Sequence, residues 1–154
     1  MASIVSIALK SFLLLQLLFA LSQAVQREFL IDLYGIKTIY IDSEQKYNWF
    51  QAEHECTLRK MSLISINSAE KNAILDGILK KEFQLCPYLW IGGNDLGEEN
   101  HFVWSANGRD FNFTNWRVGA PDNIHNKEHC VHITHKRDWN DIDCSYKFGF
   151  ICDN

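Results

Sequence analysis

Five cysteines in a chain of 154 residues constrain the fold more than any other feature of the sequence. No two of them form a C-x-x-C pair, so the spacing does not support a zinc ribbon. In a short secreted chain, such a set predicts a disulfide framework whose connectivity the spacing alone does not give. Because the number is odd, at least one thiol is either free or bonded to another molecule. The five are Cys56, Cys86, Cys130, Cys144 and Cys152.

Residues 1–24 predict a secretory signal peptide. Lys10 is their only charged residue, residues 11–21 are almost unbroken apolar sequence, and a small-residue ending favours cleavage after Ala24. An uncleaved membrane anchor is the alternative, but the apolar run is shorter than the roughly 20 residues that a span needs. We therefore expect a secreted, extracellular protein without a membrane span, with one domain over residues 25–154 and a core over about residues 34–153.

The charge balance argues against nucleic acid as a partner. Without the signal, 14 of the 15 basic residues and all 19 acidic residues remain, a net charge of −5. No basic stripe with interleaved aromatic residues is present in the sequence, and a mildly acidic surface repels phosphate backbones. The acidic residues are better candidates for holding a cation.

Local patterns predict an α+β fold. Residues 34–42 are rich in β-formers, and residues 46–59 place Trp49, Ala52, Glu53 and Cys56 at helical spacing. A second helix is predicted to begin near Asn67, which has a glutamate three positions later. Its apolar face is formed by Ile74, Leu75, Ile78 and Leu79.

After Pro87 the sequence predicts short strands separated by polar loops, at residues 89–91, 101–104, 111–113, 129–134 and 148–152. Two helices followed by short strands favour the α+β class. Residues 115–127 have little regular pattern, and a loop of that length in a small domain needs something to hold it. A bound ion would serve.

Seven short stretches, in order and in register over residues 40–152, resemble the C-type lectin domain family. Each is weak alone, and their shared order makes the resemblance specific. They are Trp90-Ile91-Gly92-Gly93, Phe102-Val103-Trp104, Asn115-Trp116, Ala120-Pro121-Asp122, Glu128-His129-Cys130-Val131, Trp139-Asn140-Asp141 with Cys144, and Phe150-Ile151-Cys152.

The resemblance implies a C-type lectin-like fold with two helices, small antiparallel sheets and a long calcium-binding loop region. The two ends of the domain should lie side by side in a sheet. It also implies two disulfides, Cys56 with Cys152 and Cys130 with Cys144. Cys86 is then left over, and two interpretations stay open: a partly buried free thiol, or a disulfide to a partner molecule.

The resemblance further implies one Ca²⁺ site that anchors a carbohydrate. Its positions in this chain are Ala120, Asp122, Glu128, Asn140 and Asp141, beside a cis peptide bond at Pro121. The family usually has Glu or Gln at position 120, where a methyl group supplies no oxygen. Three acidic side chains nevertheless remain, as in the usual versions of the motif. We therefore expect weakened calcium binding, with water in the vacant position.

The expected partners are glycans of glycoproteins or cell surfaces. Asp122 after the proline resembles the galactose-preferring version of the motif, but the aromatic residue that should follow soon after is absent. Among residues 123–127 only His125 offers a ring face for a sugar. The alternative is a protein-recognition module with a degenerate calcium and sugar site, which Ala120 and the unpaired Cys86 favour.

A second calcium position of the family corresponds to Asp95, Glu99 and Asn123, together with Glu128. We expect no strong calcium site there. Asn123 carries no charge, and His129 stands where a further acid is often found.

Two other kinds of chemistry are disfavoured. His129, His132 and His135 have the sequence spacing of a zinc site, but on a strand His132 would point away from the other two. Surface or edge-strand histidines are the expected alternative. The sequence contains no G-x-S-x-G and no nucleophile with an adjacent base, so we expect no enzyme. Asn112 begins a glycosylation sequon, which Phe111 and Phe113 would place on a half-buried strand of limited access.

Overall fold

The structure, a computed structural model, describes the backbone of residues 27–33 and 36–154 and the side chains from residue 38 onward. The predicted signal peptide lies outside the described residues, as do Tyr34 and Gly35 at the start of the first predicted strand. Among the described helices, none is long and apolar enough to cross a bilayer.

One mixed sheet organises the domain. Its main path runs β1-β2-β8-β4-β6-β7, with β3 paired to β8 and β5 paired to β4. All pairs are antiparallel except β4 with β8. The strands are β1 Arg27–Leu33, β2 Ile36–Tyr47, β3 Ser62–Leu63, β4 Leu89–Asn94, β5 Val103–Trp104, β6 Cys130–Ile133, β7 Trp139–Ile142 and β8 Phe148–Asp153.

The pairing of β2 with β8 places the amino-terminal and carboxyl-terminal parts of the domain side by side, as the resemblance implied. Ile41 lies opposite Ile151, and Tyr40 lies opposite Cys152. The α+β class and the C-type lectin-like arrangement are therefore confirmed.

Two helices pack beside this sheet, and capping side chains fix where they begin. Helix α1, Trp49–Leu58, starts three residues later than predicted, because Asn48 and Gln51 form a reciprocal capping box. Helix α2, Ala69–Glu82, is capped by Ser68 and not by Asn67: the Ser68 hydroxyl accepts a bond from the Lys71 N–H. Its buried residues, Leu75 and Leu79, belong to the predicted apolar face.

The predicted strand at residues 111–113 is wrong. Phe111 instead stacks on Trp104 with ring centroids 4.1 Å apart, so the segment enters the core through its side chains and not through strand pairing. The predicted strand at 101–104 shortens to β5. The predicted opening strand at residues 34–42 corresponds to β2, and strands β1, β3 and β7 were missed. Strand β7 was missed because its central Asn and Asp are poor strand formers.

Both disulfides form as the resemblance implied. Cys56–Cys152 joins α1 to β8, and Cys130–Cys144 joins the start of β6 to the turn after β7. Cys86 is free and fully buried, and burial raises the pKa of its thiol to about 11. A disulfide to a partner molecule has no support here, because a fully buried thiol is out of reach of a second chain.

Candidate calcium and carbohydrate site

The loop that precedes β6 is held against the start of β7 by backbone hydrogen bonds. The Trp139 N–H donates to the Asn115 carbonyl, and the Arg117 N–H donates to the Trp139 carbonyl, each at 2.8 Å. The loop then turns at a cis peptide bond between Ala120 and Pro121. The chain after the proline is thereby brought alongside the middle of β7.

Three carboxylates meet at this point. Asp122, Glu128 and Asp141 each offer an oxygen, and these oxygens all lie within 4.8 Å of one another. The three residues come from the loop, the segment before β6 and strand β7. Every charged donor in the cluster is a carboxylate oxygen, which is the type of donor that calcium prefers.

Asp141 is fully buried and orders the loop around it. The Asp122 N–H donates to both Asp141 oxygens, at 3.2 and 3.0 Å, and the Asn123 N–H donates to Oδ2 at 2.8 Å. Hydrogen bonds to the charged form of a buried carboxylate offset the cost of its desolvation. Asp141 is therefore both a member of the cluster and the support of its neighbour.

Glu128 is positioned by a tight turn over residues 123–126. Its N–H donates to the Asn123 side-chain oxygen at 3.0 Å, and its Oε2 accepts from the Ile124 N–H at 3.1 Å. Partial burial raises the pKa of Glu128, and the nearby Asp122 and Asp141 carboxylates raise it further, against the Ile124 bond. A carboxylate crowded in this way is stabilised when a cation arrives.

The Asn140 side chain is hydrogen-bonded to Arg117, a positively charged residue of the same chain. The Arg117 Nε donates to the Asn140 side-chain oxygen at 2.6 Å, and Nη2 lies 3.3 Å from an Asp122 oxygen. Of the predicted calcium ligands, Asp122, Glu128 and Asp141 thus cluster, while the Asn140 oxygen is engaged by Arg117. Sequence reasoning missed Arg117. Its position directly after Asn115-Trp116, close to the expected ligands, was the available signal.

The remaining predicted residues of this site are peripheral. Ala120 presents only a methyl group beside the cis bond. His125 is exposed, with a left-handed φ of 60°, two residues beyond Asn123. Its ring is open to solvent and close in sequence to the cluster.

The residues predicted for a second calcium position divide between two places. Asp95 and Glu99 lie with His129 in a second cluster of metal-capable side chains. The Asn123 side-chain amide donates to a Glu99 oxygen, whereas Glu128 belongs to the first cluster. The two clusters are therefore neighbours joined by Asn123.

The three spaced histidines do not share one site. His129 lies with the carboxylates Asp95 and Glu99, while the rings of His132 and His135 both contact Tyr88. The expectation of surface or edge-strand histidines is wrong for His132. It lies on β6, between β4 and β7, and is 3% exposed because its side chain faces the aromatic core. Asn112 is exposed in an irregular segment and not on a half-buried strand.

A groove of about 640 Å³ borders the first cluster. It shares Arg117 and Asn140 with the site and is otherwise lined by the β6–β7 face and by aromatic side chains that include Tyr88, Tyr146 and Phe148. The site thus opens onto a partly apolar surface.

Comparison with known proteins agrees with this fold. A family model described as the lectin C-type domain matches residues 45–154. The chain belongs to the C-type lectin domain family. Lectin subunit alpha of Sarcophaga peregrina is similar to this C-type lectin domain, with 40% identity over 121 residues, 73% of this chain and 43% of that protein.

Two further comparisons support the assignment. The alpha-N-acetylgalactosamine-specific lectin of Patiria pectinifera is 42% identical over 95 residues, which cover 58% of this chain and 55% of that protein. The chain therefore spans about half the length of these two relatives. The carbohydrate-recognition domain of the mouse scavenger receptor C-type lectin superimposes with a TM-score of 0.70 at 28% identity, covering 80% of this chain and 93% of that one.

Proposed function

We propose that this chain is a secreted lectin that binds carbohydrate through one calcium ion. The observation that carries the proposal is the meeting of the Asp122, Glu128 and Asp141 oxygens within 4.8 Å of one another. Three like charges at that separation repel, and a divalent cation between them removes the repulsion. Secretion rests on the signal peptide predicted at residues 1–24.

The donor set fits calcium better than a transition metal. Calcium takes six to eight oxygen ligands from carboxylates, amide carbonyls and water. Three carboxylates and the Asn140 amide oxygen supply part of that number. Bound calcium would supply open coordination positions for sugar hydroxyls, and the ligand side chains would also hydrogen-bond those hydroxyls.

Arg117 sets the strength of this site. Its guanidinium holds the Asn140 oxygen and pairs with Asp122, so calcium has to displace it from both. Ala120 removes a further oxygen that the family usually supplies. We therefore expect weak binding, with a dissociation constant in the high micromolar to millimolar range that extracellular calcium sites use.

A galactose-type ligand is favoured on two grounds. Asp122 follows the cis proline, as in galactose-preferring members, and the relative from Patiria pectinifera is named as specific for alpha-N-acetylgalactosamine. The exposed ring of His125 is the nearest candidate in sequence for contact with the apolar face of such a sugar.

Calorimetric titration with calcium tests the metal. The wild type should bind one ion, and Glu128→Gln should lose that binding. Glu98→Gln is the matched control, because Glu98 is an exposed glutamate outside both clusters whose side chain contacts His101. Ala120→Glu should strengthen calcium binding by restoring an oxygen. Absence of uptake at millimolar calcium in both the wild type and Ala120→Glu would refute the proposal.

Chromatography on immobilised galactose and mannose tests the sugar. We expect retention on galactose and elution by a calcium chelator. Retention that is insensitive to the chelator would contradict calcium dependence, and stronger retention on mannose would contradict the galactose preference.

A protein-recognition module is the second candidate. Arg117 favours it, because a resident cation can hold the loop together without calcium, and the groove beside it carries aromatic side chains. The calorimetric calcium titration separates the two candidates, because a loop held by Arg117 alone predicts no calcium uptake.

A further inference from the structure

We propose that Asp95, Glu99 and His129 form a separate site for a divalent ion of the zinc class. The proposal rests on the approach of two carboxylates to the same ring nitrogen of His129. His129 Nδ1 lies 3.0 Å from an Asp95 oxygen and 3.8 Å from a Glu99 oxygen. The three donors are therefore close enough to surround one point.

The separations suit a small ion. In a tetrahedral zinc site with bonds of about 2.0–2.1 Å, neighbouring donor atoms lie roughly 3.3–3.4 Å apart. The two observed separations fall on either side of that value. Glu99 is the farther donor and its side chain is 48% exposed, so a small rotation of it completes the approach.

The donor types separate this cluster from the first one. An imidazole nitrogen suits zinc, copper and nickel, whereas sites built from carboxylate and carbonyl oxygens suit calcium and magnesium. The first cluster consists of three carboxylates, and the second contains one nitrogen and two carboxylates. Two neighbouring sites in one domain thus present different metal preferences.

The central ligands are fixed before any metal arrives. The Asp95 side chain is 1% exposed, and its second oxygen accepts from the Asn100 N–H at 2.9 Å. The Asp95 N–H also donates to the His129 carbonyl at 3.1 Å, which ties the two ligand segments together. Outer hydrogen bonds of this kind orient ligands and raise metal affinity.

Metal binding at this site replaces the contact between His129 and Asp95. His129 Nδ1 contacts Asp95 in the free protein, so an ion bound through Nδ1 requires the neutral ring with its proton on Nε2. The imidazole is 29% exposed, so the ion can enter from solvent and keep water at its remaining position.

His101 shows why both carboxylates must lie at the same ring nitrogen to share a metal ion. His101 also contacts two carboxylates, but Glu98 lies at Nδ1 and Asp110 lies at Nε2. Groups on opposite ring nitrogens cannot hold the same ion. His101 is therefore a matched control: a histidine with two acidic neighbours that should not bind metal.

The test is calorimetric titration of zinc chloride into untagged, metal-free protein in calcium-free buffer. We expect one saturable site per chain. His129→Gln and Glu99→Gln should each weaken it at least as much as the roughly 10–100-fold that loss of a supporting partner costs. His101→Gln should leave the affinity unchanged. His129→Asp should lose zinc affinity and gain calcium affinity.

Two results would overturn the proposal: no saturable zinc uptake, or unchanged uptake in both His129→Gln and Glu99→Gln. Thermal unfolding checks that each variant is folded. If His129→Gln does not fold, the zinc affinity of Glu99→Gln alone decides the proposal. Glu128→Gln separates this proposal from the calcium proposal, because it should abolish calcium binding and retain zinc binding. Loss of zinc in Glu128→Gln would place the ion in the first cluster and refute the assignment.

Discussion

His132 should make the domain sensitive to mild acid. Its ring lies between Phe148, Tyr88 and Trp90, with centroid distances of 4.8, 5.2 and 6.0 Å. Burial lowers the pKa of His132 to about 4, from an ordinary value of 6.5. The nearby Arg117 cation acts in the same direction, while the bond to the Ile133 carbonyl opposes it.

The sign and size of the effect follow from linkage. In the unfolded chain His132 takes up a proton as the pH falls through 6.5, but in the folded chain it does so only near pH 4. Its contribution to stability is therefore intact above pH 6.5 and is lost progressively as the pH falls through the window between these values. Between pH 7.5 and 5 the loss comes to about 2 kcal/mol of unfolding free energy, and below pH 4 to about 3 kcal/mol.

Urea denaturation at pH 7.5 and 5, with chelator present, measures this loss. Subtracting the two unfolding free energies for the wild type and for His132→Phe isolates the contribution of His132, because the other titrating groups are common to both. His54→Gln, which removes an exposed histidine on α1, should keep the full wild-type pH dependence. Equal losses in the wild type and His132→Phe would refute the burial argument.

Two further outcomes follow from the packing and from the site. Gly149→Ala should cost about 3 kcal/mol of unfolding free energy, because a Cβ there would collide with the backbone carbonyl of Asp42. Gly77 lies in helix α2 with open space around it, so Gly77→Ala should stabilise the protein by about 0.5–1 kcal/mol. Equal effects in urea denaturation would contradict this reading. Arg117→Gln should raise calcium affinity by about two- to fivefold, the value of a half-exposed ion pair, and lower the melting temperature in chelator. A fall in calorimetric calcium affinity would instead mean that Arg117 positions the ligands.

Local chemistry determined much of the fold. The apolar face of α2 and the opening strand could be predicted because helix and strand periodicities are properties of neighbouring residues. The disulfide pairs and the candidate calcium residues could be assigned only through the family resemblance. Boundaries were less accurate: α1 begins where Asn48 and Gln51 cap each other, a detail that periodicity does not carry.

The tertiary structure decided what distant segments do to one another. Strand β7 exists because its backbone pairs with β6, although its central residues are poor strand formers. His132 is buried because its face of β6 meets the aromatic side chains of β4 and β8.

The tertiary structure also brings together the residues of the two candidate metal clusters, which are far apart in the sequence. Arg117 reaches Asn140 across 23 residues, and His129 reaches Asp95 across 34. Residue types alone could mark these side chains as candidates. Only the fold, by fixing the distances between them, decides which oxygens and nitrogens face a common point and therefore which cation each cluster can hold.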